Sequence, residues 1–270
     1  MDLYTYSKQV VLDAGAFIKA RMSLAFDVLS KSNANDLVTD VDKETEQFIT
    51  RRIQEEYPAH KLVGEEFKEH SIEDDSGYVW VIDPIDGTMN FVHQQINFTI
   101  SVGIYRDGAP IIGLVLDVMN DTLYHAQKGM GAYINDSKLP QLTDTILERS
   151  LISMNPKWML HPNISQPFVD VARASRQTRN YGSAALEFAY VAAGRLEGAV
   201  FFRLSPWDFA AGMVLVEEVG GVMTNALGHP LKITQNDSVI AGSREVQRTM
   251  VDHFRTNASF VSHHKEHYQF

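Results

Sequence analysis

The chain has 270 residues, of which 44% are hydrophobic and 21% charged, a composition typical of globular proteins. It contains no cysteine, which excludes disulfides, thiol nucleophiles, zinc–thiolate sites and iron–sulfur clusters. Its 34 acidic and 24 basic residues give a net charge of −10, and no run of Lys and Arg suits a nucleic-acid backbone. We therefore expect no nucleic-acid partner.

The start of the chain and its apolar runs bear on where the protein resides. Asp2 and Asp13 do not fit the basic start and apolar run of a signal peptide. No stretch approaches the roughly 20 apolar residues that cross a membrane. We therefore expect a cytoplasmic protein without a membrane partner.

Two amphipathic helices are predicted first, separated by a polar stretch at 31–35 and closed by Pro58. The buried face of the first contains Val10, Val11, Ala14, Phe17, Ile18 and Met22. That of the second contains Thr45, Phe48, Ile49 and Ile53.

Strands are predicted next, at Leu62-Val63 and at 78–82. Between residues 98 and 134, three turn signals separate apolar strands: Asp107-Gly108, Asn120-Asp121 and Gly129–Gly131. This pattern predicts an antiparallel sheet with helices packed on it.

The second half of the chain mixes strands and helices. Strands are predicted at 151–152, 198–202 and 238–241, and helices at 183–193, at 209–219 and near the end. A boundary at 140–150 divides an α+β lobe, residues 1–145, from an α/β lobe, residues 146–270. The His-rich tail, 263–267, is predicted to be a frayed terminus and not a metal site.

The strongest local motif is Asp83-Pro-Ile-Asp-Gly-Thr88, which follows a predicted buried strand. Two carboxylates at such a turn can bind Mg²⁺, which prefers oxygen ligands. The amides of Gly87 and Thr88 would then face an anion at a helix start. Asp also caps helices and forms turns, so the hexapeptide alone has a purely structural explanation as well.

Three further acidic segments stand near predicted element ends. They are Gly64-Glu65-Glu66 after a strand, Trp207-Asp208-Phe-Ala-Ala-Gly212 at a helix start, and Asp36-Leu-Val-Thr-Asp-Val-Asp42 before a helix. Each has a structural alternative: a surface glutamate for Glu65, an N-cap for Asp208, and stabilisation of the helix dipole for the third segment.

Taken together, these four segments resemble the signature motifs of the inositol monophosphatase family in order, spacing and total length. The resemblance implies a layered αβαβα sandwich of the sugar phosphatase type, with an antiparallel sheet in the first lobe and a mixed sheet in the second. It also implies a homodimer that uses two or three Mg²⁺ ions per active site and is inhibited by Li⁺.

The resemblance also implies roles for single residues. The implied metal ligands are Glu65, Asp83, the carbonyl of Ile85, Asp86 and Asp208. Thr88 and Asp42, with Glu65, are the implied catalytic residues, which orient and deprotonate the attacking water. The reaction implied is direct in-line hydrolysis of a small phosphate monoester, with no phosphoenzyme.

The substrate is less well defined by the sequence. Segment 180–184 resembles the family's ring-lining segment, but Phe201 stands where inositol-preferring members have a glutamate, and Arg203 follows it. We therefore predict broad specificity. The full set of predicted substrate contacts is Ile85, Asp86, Gly87, Thr88, Gly182, Ser183, Ala184, Arg203 and Asp208. A surface ion pair is the alternative for Arg203.

Three other functions are compatible with parts of this pattern. One is a phosphatase acting mainly on NADP(H) or a sugar bisphosphate. Another is a catalytically silent protein that senses metal or phosphate on the same scaffold. A metal-dependent nuclease also uses paired carboxylates, but the net charge of −10 argues against a polymeric phosphate substrate.

Overall fold

The computed structural model describes residues 1–25, 27–30, 37–66 and 74–268. The predicted polar break at 31–35 and Asp36 lie outside the described residues.

The first half of the chain forms three helices and nine strands among the described residues. The helices are α1 (Leu3–Met22), α2 (Asp40–Glu56) and α3 (Thr88–His93). The strands are β1 (Val28–Ser30), β2 (Leu37–Thr39), β3 (Lys61–Gly64), β4 (Tyr78–Asp86), β5 (Thr99–Arg106), β6 (Ala109–Asp117), β7 (Thr122–Gln127), β8 (Gly131–Ile134) and β9 (Ser137–Lys138).

The second half begins with a 3₁₀ turn (Leu147–Arg149), and another (Pro156–Leu160) follows its first strand. Its helices are α4 (Ser165–Ala174), α5 (Ala184–Ala192), α6 (Pro206–Glu218), α7 (Arg244–Arg255) and α8 (Ala258–His267). Its strands are β10 (Leu151–Met154), β11 (Gln177–Arg179), β12 (Gly198–Leu204), β13 (Val222–Thr224) and β14 (Asp237–Gly242).

Two sheets dominate the described structure. The larger has seven strands in the order β3-β4-β5-β6-β7-β8-β9, and all neighbours are antiparallel except the parallel pair β3–β4. The smaller has the order β11-β10-β12-β14-β13, with β10 parallel to both its neighbours and the other pairs antiparallel. The predicted combination of an antiparallel first sheet and a mixed second sheet is therefore confirmed, with one parallel pair at the edge of the first.

The helices form three layers around these sheets. α1 and α2 cover one face of the large sheet, α5 and α6 lie between the two sheets, and α4, α7 and α8 form the outer layer on the small sheet. This is the predicted αβαβα sandwich. The central layer joins the two halves of the chain, because Val81 and Val115 belong to the same buried cluster as Phe188, Phe209 and Val214.

A close approach between α6 and the large sheet depends on small residues. A Cβ atom at Gly113 on β6 would lie 2.4 Å from the carbonyl oxygen of Ala211 on α6. Only glycine fits at this crossing, and the close approach sets α6 directly against the large sheet. That packing determines where Asp208, in the first turn of α6, lies.

The prediction of a frayed tail is wrong. Residues 258–267 form α8, in which Phe260 and His264 are fully buried. His264 Nε2 lies 2.6 Å from Ser238 Oγ, and the Tyr268 hydroxyl donates to the carbonyl oxygen of Phe202 at 2.6 Å. Phe260, His264 and Tyr268, spaced four apart, form one buried stripe that docks on the small sheet.

Within the described residues, no helix has the length and apolar character required to span a membrane. The division of the chain into lobes 1–145 and 146–270 stays a prediction.

Candidate active site

Three carboxylates from distant parts of the chain meet at one point. Asp83, Asp86 and Asp208 each place an oxygen within 4.8 Å of the other two. Asp83 and Asp86 come from the end of β4, and Asp208 comes from the first turn of α6. The site therefore forms where the large sheet meets the central helix layer.

The end of β4 is shaped by a change of register. Asp83 pairs with Ser101 and Asp86 pairs with Thr99, with an irregularity between them. The amide of Ile85 donates to Asp83 Oδ1 at 3.0 Å, so the carboxylate also stabilises the turn. The structural role considered for Asp83 and its place in the cluster are thus compatible.

Gly87 allows the chain to turn from β4 into α3. Its φ is +94°, a left-handed conformation that side chains disfavour. A Cβ atom there would lie 3.2 Å from the carbonyl oxygens of Asn97 and Gly182 and from the Cβ of Ser183. The motif therefore needs glycine for both conformation and space.

Asp86 is held by the N-terminus of α5. The amides of Ala184 and Ala185 donate to its two carboxylate oxygens at 3.2 and 2.8 Å, and the Ser183 hydroxyl also donates to it. We predicted that segment 182–184 would offer its donors to substrate. In the structure, those of Ser183 and Ala184 bind Asp86.

Asp208 takes part in a capping box at the start of α6. Ser205 is the N-cap, and its amide donates to Asp208 Oδ2 at 2.7 Å. Asp208 is therefore the third residue of the helix and not the N-cap considered from the sequence. The capping bond fixes the carboxylate in place, and Asp208 remains partly exposed.

Glu65 reaches the same place from the neighbouring strand. The parallel pairing of β3 with β4 sets Gly64 opposite Ile82, so the next residues along each strand, Glu65 and Asp83, are neighbours. The Glu65 carboxyl group lies close enough to that of Asp83 to raise its pKa. All four predicted carboxylate ligands are thus close together.

Burial and mutual repulsion disfavour negative charge in this cluster. Burial, and then the negative charge of Glu65, raise the pKa of Asp83 well above its usual value. Burial raises the pKa of Asp86 to about 6, although hydrogen bonds from Ser183, Ala185 and Ala184 act in the opposite direction. A buried set of oxygen ligands that lacks positive charge fits a hard divalent cation such as Mg²⁺.

The predicted pair Thr88–Asp42 is formed. The Thr88 hydroxyl lies 3.3 Å from Asp42 Oδ1 and 3.2 Å from the carbonyl oxygen of Ile85. Asp42 is buried, and the amide and hydroxyl of Thr39 bind its other oxygen in the capping box of α2. Helix capping, the structural alternative for this segment, therefore leaves one oxygen of Asp42 facing Thr88.

The sequence did not point to Glu187 or Asn90, two buried polar residues behind the site. Glu187 accepts the amides of Tyr181 and Gly182, and burial raises its pKa to about 7. Its position in the first turn of the predicted helix 183–193 was a usable signal, because an acid there interacts with free backbone amides. No comparable signal marks Asn90.

Phe201 and Arg203 face different surroundings. The Phe201 ring packs against that of Phe188, with centroids 5.1 Å apart. Arg203 is exposed and lines a cavity of about 430 Å³, together with Gln235, Asn236, His267 and Tyr268. Among the described residues, that lining includes no carboxylate of the cluster. The structure therefore places Arg203 at a separate cavity.

Comparison with known proteins identifies the family to which the chain belongs. The model of the inositol monophosphatase family matches residues 2–259. The chain belongs to this family. A curated member, the inositol-1-monophosphatase of Bacillus subtilis strain 168, is 46% identical over 253 residues, which cover 92% of this chain and 94% of that protein.

Solved structures of inositol monophosphatases agree with this assignment. Inositol monophosphatase II from Staphylococcus aureus MSSA476 has a TM-score of 0.92 and 43% identity over 100% of both chains. An IMPase/NADP phosphatase in complex with Mg²⁺ and phosphate has a TM-score of 0.85 and 27% identity over 94% of both chains. As an inositol monophosphatase family member, the chain is a phosphoric monoester hydrolase of a Mg²⁺-dependent family. A catalytically silent sensor is not favoured.

Proposed function

We propose that the protein is a Mg²⁺-dependent phosphatase of the inositol monophosphatase type, which hydrolyses small phosphate monoesters by direct attack of water. The observation that carries the proposal is the convergence of Asp83, Asp86 and Asp208 within 4.8 Å. Glu65, beside Asp83, extends this cluster. A phosphate dianion repels nucleophiles, so a reaction of this kind needs such a binding place for cations.

Two or three Mg²⁺ ions would be held by Glu65, Asp83, the carbonyl of Ile85, Asp86 and Asp208. When bound, these ions supply positive charge to the phosphate and lower the pKa of water. Hydrogen bonds from the backbone already fix the positions of these carboxylates, such as the 2.7 Å bond from the Ser205 amide to Asp208. The carboxylates would therefore be preorganised to bind the ions.

Thr88 and Asp42 would handle the proton of the attacking water. With its hydrogen directed to Asp42 Oδ1, 3.3 Å away, the Thr88 oxygen is free to accept a hydrogen bond from water. As that proton passes to the Thr88 oxygen, the hydroxyl proton moves to Asp42. Glu65 would orient the same water, and the amides of Gly87 and Thr88 would bind the phosphate.

We propose broad specificity that includes inositol monophosphates. Phe201 packs against Phe188 and supplies no carboxylate for ring hydroxyls. The B. subtilis relative is named for inositol 1-monophosphate, and the structure with bound Mg²⁺ is named for both IMPase and NADP phosphatase activity. A main activity on NADP(H) or sugar bisphosphates is not favoured by these comparisons.

The remaining expectations are also proposals. We propose a homodimer in the cytoplasm that acts on a small phosphorylated metabolite and is inhibited by Li⁺. Size-exclusion chromatography with light scattering measures the oligomeric state, and phosphate release at increasing LiCl measures the inhibition by Li⁺.

A substrate panel tests the proposed function. Phosphate release is measured from inositol monophosphates, NADP⁺, fructose 1,6-bisphosphate and 3′-phosphoadenosine phosphate, with Mg²⁺ or with EDTA. We expect activity on inositol monophosphate and at least one other substrate, all abolished by EDTA and restored by Mg²⁺. Exclusive use of inositol monophosphate would contradict broad specificity, and activity in EDTA would contradict the metal requirement.

A further inference from the structure

Two buried polar side chains hold one short stretch of backbone from opposite sides. Glu187 on α5 accepts the amides of Tyr181 and Gly182 at 2.6 and 3.0 Å. Asn90 on α3 donates to the carbonyl oxygens of Tyr181 and Asn97 at 2.7 and 2.8 Å. Glu187 and Asn90 are only 1% and 8% exposed, and their bonds to this backbone are partly buried, so they are stronger than bonds at the open surface.

The backbone that they hold leads directly into the donors of Asp86. Gly182 precedes Ser183, the N-cap of α5, and the donors to Asp86 come from residues 183–185. The carbonyl oxygen of Gly182 also lies close to Gly87, since a Cβ added there would be 3.2 Å away. A shift of the 181–182 backbone therefore displaces the donors or collides with the turn after Asp86.

We propose that Asn90 and Glu187 are positioning residues, which fix the 181–182 backbone so that the start of α5 holds Asp86 toward Asp83 and Asp208. This inference rests on the proposed function, because it takes Asp86 as a metal ligand. Neither side chain touches substrate in the proposed reaction. Their effect reaches the cations through the backbone amides of α5 and through the Asp86 carboxylate.

The chemistry of the two residues explains why these side-chain types are required. Tyr181 exposes both an amide and a carbonyl oxygen to the interior, and a buried backbone group without a partner is unfavourable. A carboxylate satisfies two amides at once, and a carboxamide NH₂ satisfies two carbonyl oxygens. Apolar residues of equal size leave these four bonds unmade, and the segment would then move to find other partners.

Glu187→Met and Glu187→Gln separate this role from packing. Both keep the size of the side chain, but only Gln retains an oxygen that accepts the two amides. Phosphate release from inositol monophosphate is measured while Mg²⁺ is titrated. We expect Glu187→Met to raise the Mg²⁺ concentration for half-maximal activity by about 10-fold, as loss of supporting hydrogen bonds does at metal sites. Glu187→Gln should stay near the wild-type value.

The chain offers a matched control for general loss of stability. Glu218 also accepts two backbone amides, those of Gly129 and Gly131, at 2.7 Å each. Gly129 lies in the turn between β7 and β8 and Gly131 begins β8, outside the proposed site. Glu218→Met should lower the melting temperature and leave the Mg²⁺ dependence unchanged. An equal Mg²⁺ shift in both Met variants would overturn the proposal.

Asn90→Asp tests the same backbone from its other side. It preserves shape but replaces the donating NH₂ with an oxygen that faces two carbonyl oxygens, so we expect a similar rise in the Mg²⁺ requirement. If Glu187→Met does not fold, this variant decides the question. An unchanged Mg²⁺ dependence in folded Asn90→Asp would refute the proposed clamp of Asn90 and Glu187 on the 181–182 backbone.

Asp86→Asn distinguishes failure of this inference from failure of the proposed function. Loss of activity in Asp86→Asn, with normal Mg²⁺ dependence in the Glu187 and Asn90 variants, would refute the clamp alone. Full activity in Asp86→Asn would refute the assignment of Asp86 as a ligand and the clamp with it.

Discussion

The Thr88 hydroxyl lies 3.3 Å from Asp42 Oδ1, although the two residues are 46 positions apart in the chain. Asp42 is fixed by the capping box of α2, and Thr88 begins α3 directly after the carboxylate motif. The pair therefore joins α2, which covers one face of the large sheet, to the end of β4. Its position beside the cluster suits it to transfer a proton from water.

Removal of the Thr88 hydroxyl should impair catalysis more than binding. We expect Thr88→Ala to lower kcat by about 100-fold, because a positioned proton acceptor contributes on that scale, with little change in KM. Thr88→Ser keeps the hydroxyl and should retain most activity. Steady-state kinetics on inositol monophosphate measures both variants, and equal kcat values for Ala and Ser would contradict the role of the hydroxyl.

The stabilising effect of Mg²⁺ should depend on pH. Asp86 has a folded-state pKa of about 6, above the value of about 3.9 in an unfolded chain. Between these values the metal-free fold binds more protons than the unfolded chain, so this group's contribution to stability falls as pH rises toward 6. Cations need the deprotonated carboxylates, so Mg²⁺ binds better above pH 6.

Thermal unfolding with Mg²⁺ and with EDTA, at pH 5.5 and pH 8, measures this effect. The increase in Tm caused by Mg²⁺ should be larger at pH 8. An equal increase at both pH values would show that the raised pKa of Asp86 has no part in cation binding.

Gly87 should not tolerate a side chain. Gly87→Ala places a Cβ 3.2 Å from three atoms and requires a left-handed backbone at φ +94°. We expect a loss of about 1–3 kcal/mol in the free energy of unfolding, together with a loss of activity because Asp86 and Thr88 flank the residue. Urea unfolding measures the change in the free energy of unfolding. Gly77→Ala, with a positive φ but open space, is the control and should retain activity.

His264 should contribute to stability and not to catalysis. Its side chain is fully buried and bonds to Ser238, so His264→Ala leaves a cavity and removes one of the hydrogen bonds of the Ser238 hydroxyl. We expect a loss of about 2–4 kcal/mol in the free energy of unfolding, with kcat unchanged at 25 °C. The exposed neighbour Lys265 provides a control, since Lys265→Ala should change stability by less than about 0.5 kcal/mol.

The layered fold and the carboxylate cluster were predictable from the sequence because their signals are local. Asp83 and Asp86 follow a continuous apolar strand, and Asp208 opens a helix, so each motif lies at an element end where backbone geometry exposes a side chain. The family resemblance then supplied their convergence, which no spacing rule gives for positions 83 and 208.

Features that depend on contacts between distant segments were not predictable. The sequence predicts a frayed tail at 263–267, and only the docking of α8 on the small sheet buries His264. Asn90 acts on backbone groups of another loop and leaves no trace in composition or periodicity, whereas the one signal for Glu187 is its place in the first turn of a predicted helix. The donors of Ser183 and Ala184 were assigned to substrate because their partner, Asp86, lies 97 and 98 residues away.

The most direct test of the proposed metal centre compares Asp208→Asn with Asp136→Asn in a Mg²⁺ titration of phosphate release from inositol monophosphate. Both variants remove one negative charge, but Asp136 is exposed and lies outside the cluster. We predict that Asp208→Asn lowers kcat at least about 100-fold and raises the Mg²⁺ concentration needed for half-maximal activity, while Asp136→Asn behaves as wild type. Full activity with normal Mg²⁺ dependence in Asp208→Asn would contradict the proposed metal centre.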